Sequence, residues 1–148
     1  MSEALPALPF LQAPFPHVIT AGQPSGAQLQ ALALRGFHTI INVRGHGEPG
    51  VAEAPGFVAG LGMRYVHIPV SGPDDLTVEN AQQLADALAS ADALPALVFC
   101  GSANRVGALF AVKARFLDGK SVDEALAEGR ASGLLGLEPY VRMLLSQA

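Results

Sequence analysis

A chain of 148 residues fits one domain, residues 1–148, and is long enough to bury a core without disulfide or metal staples. Half of its residues are apolar, 15% are charged and the formal net charge is −4, with no lysine- or arginine-rich run. That balance excludes a disordered chain and gives no footprint for a nucleic-acid partner. The single cysteine rules out an internal disulfide. His17, His38, His46 and His67 form no i, i+4 pair, so no metal and no other cofactor is expected.

Residues 1–16 lack the basic start and apolar run of a secretion signal and read as an extended, proline-containing N-terminal arm. No apolar stretch reaches the ~18 residues of a membrane span, so a cytoplasmic protein with no membrane partner is expected. His17-Val18-Ile19-Thr20 reads as a short strand ending at Gly22. Ser25 and Gln28 have the spacing of a capping box, and Leu29, Leu32, Ala33 and Phe37 follow at helical spacing with Gly36 as the stop. Thr39-Ile40-Ile41-Asn42-Val43 is a buried strand by its β-branched content. A glycine-rich loop, 44–50, and a short helix over Ala54–Gly60 with Pro55 in its first turn come next. Residues 65–70 form another strand, which Pro69 ends or places at a sheet edge.

Ser71-Gly72-Pro73-Asp74-Asp75 is a turn, and Thr77 caps a helix with Ala81, Leu84, Ala85 and Leu88 on its apolar face. After Pro95 comes the strand Ala96–Phe99, then a helix carrying Val106, Leu109, Val112 and Phe116. Ser121 and Glu124 form a second capping box, opening a helix that ends near Gly133, and Glu138-Pro139 opens a last one through Leu145. The order β-α-β-α-β-α-β-α-α-α specifies an α/β domain with a mainly parallel central sheet flanked by helices. Such sheets bind ligands at the carboxyl ends of their strands. The loops 44–50, 71–75 and 100–105 are therefore expected on one rim.

The stretch Phe99-Cys100-Gly101-Ser102-Ala103-Asn104-Arg105 carries the chemistry. A strand, a loop of small residues and a helix N-terminus form an anion cradle, in which backbone N–H groups of Gly101, Ser102, Ala103 and Asn104 can turn inward. Cys100 stands at its base as a candidate nucleophile, since helix N-termini and nearby cations favour the thiolate. Arg105 can hold two oxygens of a tetrahedral anion in fork geometry. Together they suit phosphoryl transfer through a thiol-phosphate intermediate, formed without a metal. The partner is then a phosphorylated substrate or another small anion such as phosphate or sulfate. Asp74 or Asp75 would supply the leaving-group proton, Asp74 being preferred because it follows Pro73, although aspartates are also common in turns for their own sake. Glu48 could orient Arg105 from behind and Arg44 could help the anion or close the loop, but a structural role for this pair is favoured. His67 reads as a core or rim histidine. The oligomeric state cannot be read from the sequence.

Several segments together carry a family likeness: Thr20-Ala21-Gly22-Gln23-Pro24; Gly36-Phe37 with residues 39–44; Glu48; residues 65–70; and residues 100–109. In this set the chain resembles the bacterial phosphatase-like domains, related to dual-specificity and protein tyrosine phosphatases, that also occur fused to beta-lactamase-like hydrolases. The resemblance implies a cysteine-phosphatase-like fold, with Cys100 as nucleophile, Arg105 as phosphate-binding arginine and Asp74 or Asp75 as general acid. Four residues separate Cys100 from Arg105, where typical cysteine phosphatases have five. Phe99 stands where histidine is frequent, Val106 where serine or threonine is frequent, and Ala103 where glycine is usual. If Ala103 needs a positive φ, it is strained. The shorter loop admits a rhodanese-like sulfurtransferase that uses a cysteine persulfide. The altered flanks admit a non-catalytic phosphate- or anion-binding module.

Overall fold

The computed structural model describes residues 5–147. The first four residues of the expected arm lie outside them. The rest of the arm is not simply extended. It contains a first strand, β1 (Gln12–Phe15), that pairs antiparallel with β2 (Val18–Ala21). Its two ends turn through left-handed backbone at Phe10 (φ 56°) and His17 (φ 65°). The prolines hid this strand, because Pro14 within it argues against a strand except at a sheet edge.

The remaining elements are α1 (Gly26–Leu34), β3 (Thr39–Arg44), α2 (Ala54–Gly60), β4 (Arg64–Val70), α3 (Val78–Ala89), β5 (Ala96–Phe99), α4 (Asn104–Phe116), α5 (Val122–Ala131) and α6 (Glu138–Leu145). The five strands lie in the order β1-β2-β5-β3-β4. β2, β5, β3 and β4 run parallel, and β1 is the antiparallel edge. Both capping boxes form. Ser25 and Ser121 accept from the backbone N–H of Gln28 and Glu124, whose side chains accept in return from the cap N–H. Each such cap contributes about 1 kcal/mol. Phe37 falls beyond α1, whose last residue is Leu34, and packs from the following loop into the core.

β3 and β5 are buried along their whole length, as parallel strands covered on both faces must be. Side-chain alternation then sends Ile41, Val43, Val98 and Cys100 to the face covered by α3, α4, α5 and α6. Ile40, Leu97 and Phe99 go to the other face, against α1, Phe37 and Val58 of α2. α4 is the central helix, buried at eight of its positions. It can be so because Gly107 has no side chain. A Cβ there would overlap the Leu134 backbone nitrogen and come within 2.6 Å of the Gly129 carbonyl. No helix among the described residues is long and apolar enough to cross a membrane.

Candidate active site

The carboxyl ends of β3, β4 and β5 bring the three expected loops together. Arg105 Nη1 donates to the Val70 carbonyl at the end of β4, at 2.8 Å. A Cβ at Gly45 would collide with the Ser71 side chain, so the loops after β3 and β4 touch. On the other side, Gly22 bridges to Ser102, and a Cβ on Gly22 would stand 2.7 Å from the Gly101 carbonyl. Only glycine lets the two backbones come this close.

Cys100 is fully buried at the top of β5, among the apolar side chains of the α4 face. The chain then climbs through exposed Gly101 and Ser102 to Ala103, the residue preceding α4. Ala103 has φ 68° and ψ −6°, the left-handed conformation that the sequence made suspect for an alanine. Its methyl group is held by Gly133, where a Cβ would approach it to 2.6 Å. The first intrahelical bond runs from the Gly107 N–H to the Ala103 carbonyl at 2.9 Å. The N–H groups of Asn104, Arg105 and Val106 are thus left without intrahelical acceptors, and they form the positive end of the helix. The Asn104 side chain takes no part in the cradle. Its Oδ1 accepts from the Leu135 and Leu137 N–H groups, tying down the loop between α5 and α6.

The guanidinium of Arg105 is oriented from behind. Its end-on edge donates twice to Glu48, Nη1 to Oε2 at 2.6 Å and Nη2 to Oε1 at 2.9 Å. Its side-on edge, Nε–H with the second Nη2–H, keeps the spacing that matches two oxygens of a tetrahedral anion. Nη2 lies under Gly101, 3.4 Å from where a Cβ on that glycine would sit. Bonding to Glu48 holds Arg105 protonated beyond the ordinary arginine range against its partial burial, and the neighbouring Cys100 side chain acts in the same direction.

Glu48 is the hub of the cluster. Besides Arg105 it accepts from Arg44 Nε at 3.3 Å and from the Gly45 N–H at 2.5 Å. The bond from Arg105, together with the Gly45 N–H and the charges of both arginines, outweighs desolvation and lowers its pKa from 4.5 to about 2. Arg44 is buried, donates through Nη1 to the Pro49 carbonyl, and has its own carbonyl bound by His67 Nε2 at 2.6 Å. His67 is therefore a rim residue that fixes the end of β3. The site is larger than a surface ion pair, with two arginines on one carboxylate and one net positive charge beneath the loop.

The two aspartates differ. Asp75 Oδ2 accepts from the Ser71 N–H at 2.8 Å, and its carbonyl accepts from Asn80 Nδ2. It closes the turn. Asp74 is exposed in the same turn, and its carboxylate has no hydrogen-bond partner among the described residues. The Val70 carbonyl and Gly133 also belong to the site. Nothing in their sequence neighbourhood signals either role, since both act only across the fold.

Residues 15–116 match the family model described as "Beta-lactamase hydrolase-like protein, phosphatase-like domain". A beta-lactamase hydrolase-like protein of Agrobacterium fabrum (strain C58 / ATCC 33970) is 35% identical over 104 residues. The match covers 68% of this chain, which spans 23% of that relative's length. Among solved structures, a candidate phosphatase of Neisseria meningitidis superposes with a TM-score of 0.74 at 24% identity, over 93% of this chain and 97% of that one. The core catalytic domain of the PP-IP phosphatase of S. cerevisiae, in complex with citrate, superposes with a TM-score of 0.71 at 15% identity, over 97% and 87%. The architecture shared with these proteins is the fold of cysteine phosphatases of the tyrosine and dual-specificity type.

Proposed function

The chain belongs to the family of phosphatase-like domains of beta-lactamase hydrolase-like proteins, and we propose that this domain is a cysteine-dependent phosphatase acting on phosphate monoesters. The observation that carries the reading is the side-on edge of Arg105. Glu48 occupies the other edge of the guanidinium, and Nη2 of Arg105, in the first turn of α4, lies against Gly101, the residue that follows Cys100.

The phosphoryl oxygens rest on that edge and on the N–H groups of the loop and the first turn of α4. Cys100 Sγ, as thiolate, attacks phosphorus in line with the ester oxygen. The P–O bond breaks, and the leaving oxygen takes a proton from the Asp74 carboxylic acid. Water then attacks the S-linked phosphoryl group and gives its proton to the Asp74 carboxylate. The S–P bond breaks, releasing phosphate and the thiolate. Charge spread over the equatorial oxygens is met by groups already in place, which is the economical form of electrostatic catalysis. Val106 offers no hydroxyl to the departing sulfur, so the second step is the slow one.

Hydrolysis of p-nitrophenyl phosphate tests this reading. The wild-type protein should turn over, Cys100→Ser should not, and Arg105→Lys should lose at least about a hundredfold because lysine cannot bind two oxygens side by side. Activity that survives in Cys100→Ser sinks the mechanism. One observation favours a second reading, an anion-binding module without turnover: Cys100 has no exposed surface beneath the closed loop. That reading predicts no hydrolysis by the wild-type protein, with phosphate still protecting it against thermal unfolding.

A further inference from the structure

Beside the loop, and separate from it, a cavity of about 250 Å³ opens between the N-terminal end of α1, the loop leading into α2, and the sheet. Pro24, Leu29, Phe57 and Phe99 supply an apolar lining with two aromatic rings, and Glu53 stands at its exposed rim. Arg44 also lines it. A charged side chain in an apolar cleft needs a reason, because burying a guanidinium is costly unless its N–H groups are bonded. Arg44 is 5% exposed. Its Nε is used by Glu48 and its Nη1 by the Pro49 carbonyl, while Nη2 has no hydrogen-bond partner among the described residues. Two donor positions are thus held at the wall of a cavity with nothing from the chain to receive them.

We infer that this cavity binds a planar aromatic group bearing an anionic oxygen acceptor, with the ring between Phe57 and Phe99 and the acceptor on Arg44 Nη2. Size agrees: an apolar cavity of roughly 150 Å³ accommodates benzene, so the larger volume holds a ring and one substituent. Chemistry agrees as well. Phenylalanine rings favour an aromatic partner in offset or edge-on contact. Arg44 shares the single carboxylate of Glu48 with Arg105, so its own charge is only partly compensated at the cavity wall. Glu53 opposes an anion only from the rim, where water and salt screen it. The site does not depend on Cys100 chemistry and stands whether or not the domain hydrolyses phosphate.

Benzoate is the probe, with acetate as the charge-only control, followed by backbone amide NMR on the folded protein. Benzoate should shift amides of residues 23–29 and 50–57 saturably, with a dissociation constant in the millimolar range usual for a ligand of this size. Acetate at the same concentrations should not. Phe57→Ala, at a residue already 40% exposed, should weaken benzoate at least tenfold. Gly26→Leu should abolish binding by filling the cavity, since a Cβ at Gly26 already points at Phe57 Cζ from 3.1 Å. Inorganic phosphate should still shift the amides of residues 101–106 in both variants. The inference is overturned if benzoate leaves residues 23–29 and 50–57 unshifted. It is equally overturned if benzoate shifts only residues 100–106 and is displaced by phosphate, or if both variants bind it as the wild type does.

Discussion

Replacing Glu48 by glutamine keeps the shape of the hub and removes its charge. The carboxylate accepts four bonds, two on each oxygen: Oε2 from Arg105 Nη1 and the Gly45 N–H, Oε1 from Arg105 Nη2 and Arg44 Nε. A glutamine amide can accept on one side only. Whichever way it turns, two donors face an NH₂ group, and at least one of them belongs to an arginine. Hydrogen bonds to charged groups are worth about 1.5–3 kcal/mol each. The Glu48 side chain is 29% exposed, so the lower half of that range applies. Glu48→Gln should therefore cost about 2–3 kcal/mol, a fall in Tm of roughly 6–10 °C for a domain of this size. Phosphate binding should weaken about tenfold, because the Arg105 fork is no longer held at one angle.

The pH dependence has a definite sign. The Glu48 pKa is lowered on folding from 4.5 to about 2, so its contribution is complete above the unfolded value and is lost as the pH falls through that window. The stability gap between wild type and Glu48→Gln should be constant from pH 7 to about 5 and close between about 4.5 and 2. Thermal unfolding of both proteins across that range, with and without phosphate, measures it. A variant that melts within 1–2 °C of the wild type at pH 7, or a gap that persists unchanged at pH 2.5, would refute the reasoning.

Three further outcomes follow from the same contacts. Gly107→Ala should destabilise by roughly 3 kcal/mol or more, since its Cβ would overlap backbone that cannot yield, whereas Gly56→Ala, with open space around it, should gain about 0.5–1 kcal/mol; denaturant titration compares them. Ala103→Gly should stay within about 1 kcal/mol of wild type, the relief of left-handed strain offsetting lost burial, while Ala103→Val should lose roughly 3 kcal/mol, also by denaturant titration. Asp74→Asn should lower kcat on p-nitrophenyl phosphate about a hundredfold or more with stability unchanged. Asp75→Asn should instead cost about 1 kcal/mol of stability through the Ser71 turn and spare kcat, so the reverse pattern would reassign the acid.

Much of this architecture was legible in the sequence because its signals are local. Both capping boxes, the Thr77 cap, the Pro55 helix start and the β-branched run of β3 each depend on residues within one turn or strand. The alternation of strands and helices then set the parallel order and put the three loops on one rim. Arg105 and its loop were legible for the same reason, as a strand, small residues and a helix start in succession. What escaped is long-range. β1 pairs through its backbone and needs no apolar pattern. The bonds Asn104 Oδ1 accepts escape a local reading because the N–H groups that donate them lie 31 and 33 residues away. Glu48 could be suspected of meeting Arg105, but that one carboxylate would serve two arginines and a backbone N–H depends on how the loop after β3 closes. The separation of Asp74 from Asp75 likewise follows only from which of the two reaches the Ser71 N–H.

The central claim is that Cys100 takes the phosphoryl group while Arg105 holds it. Rapid acid quench of the protein with p-nitrophenyl phosphate, followed by mass spectrometry of the peptide containing Cys100, tests it most directly. The account predicts a phosphoryl group on that peptide, accumulating because Val106 cannot assist the sulfur to leave, and its absence in Cys100→Ser. Steady release of p-nitrophenol with no phosphoryl group ever found on Cys100, and at an undiminished rate in Cys100→Ser, would contradict it.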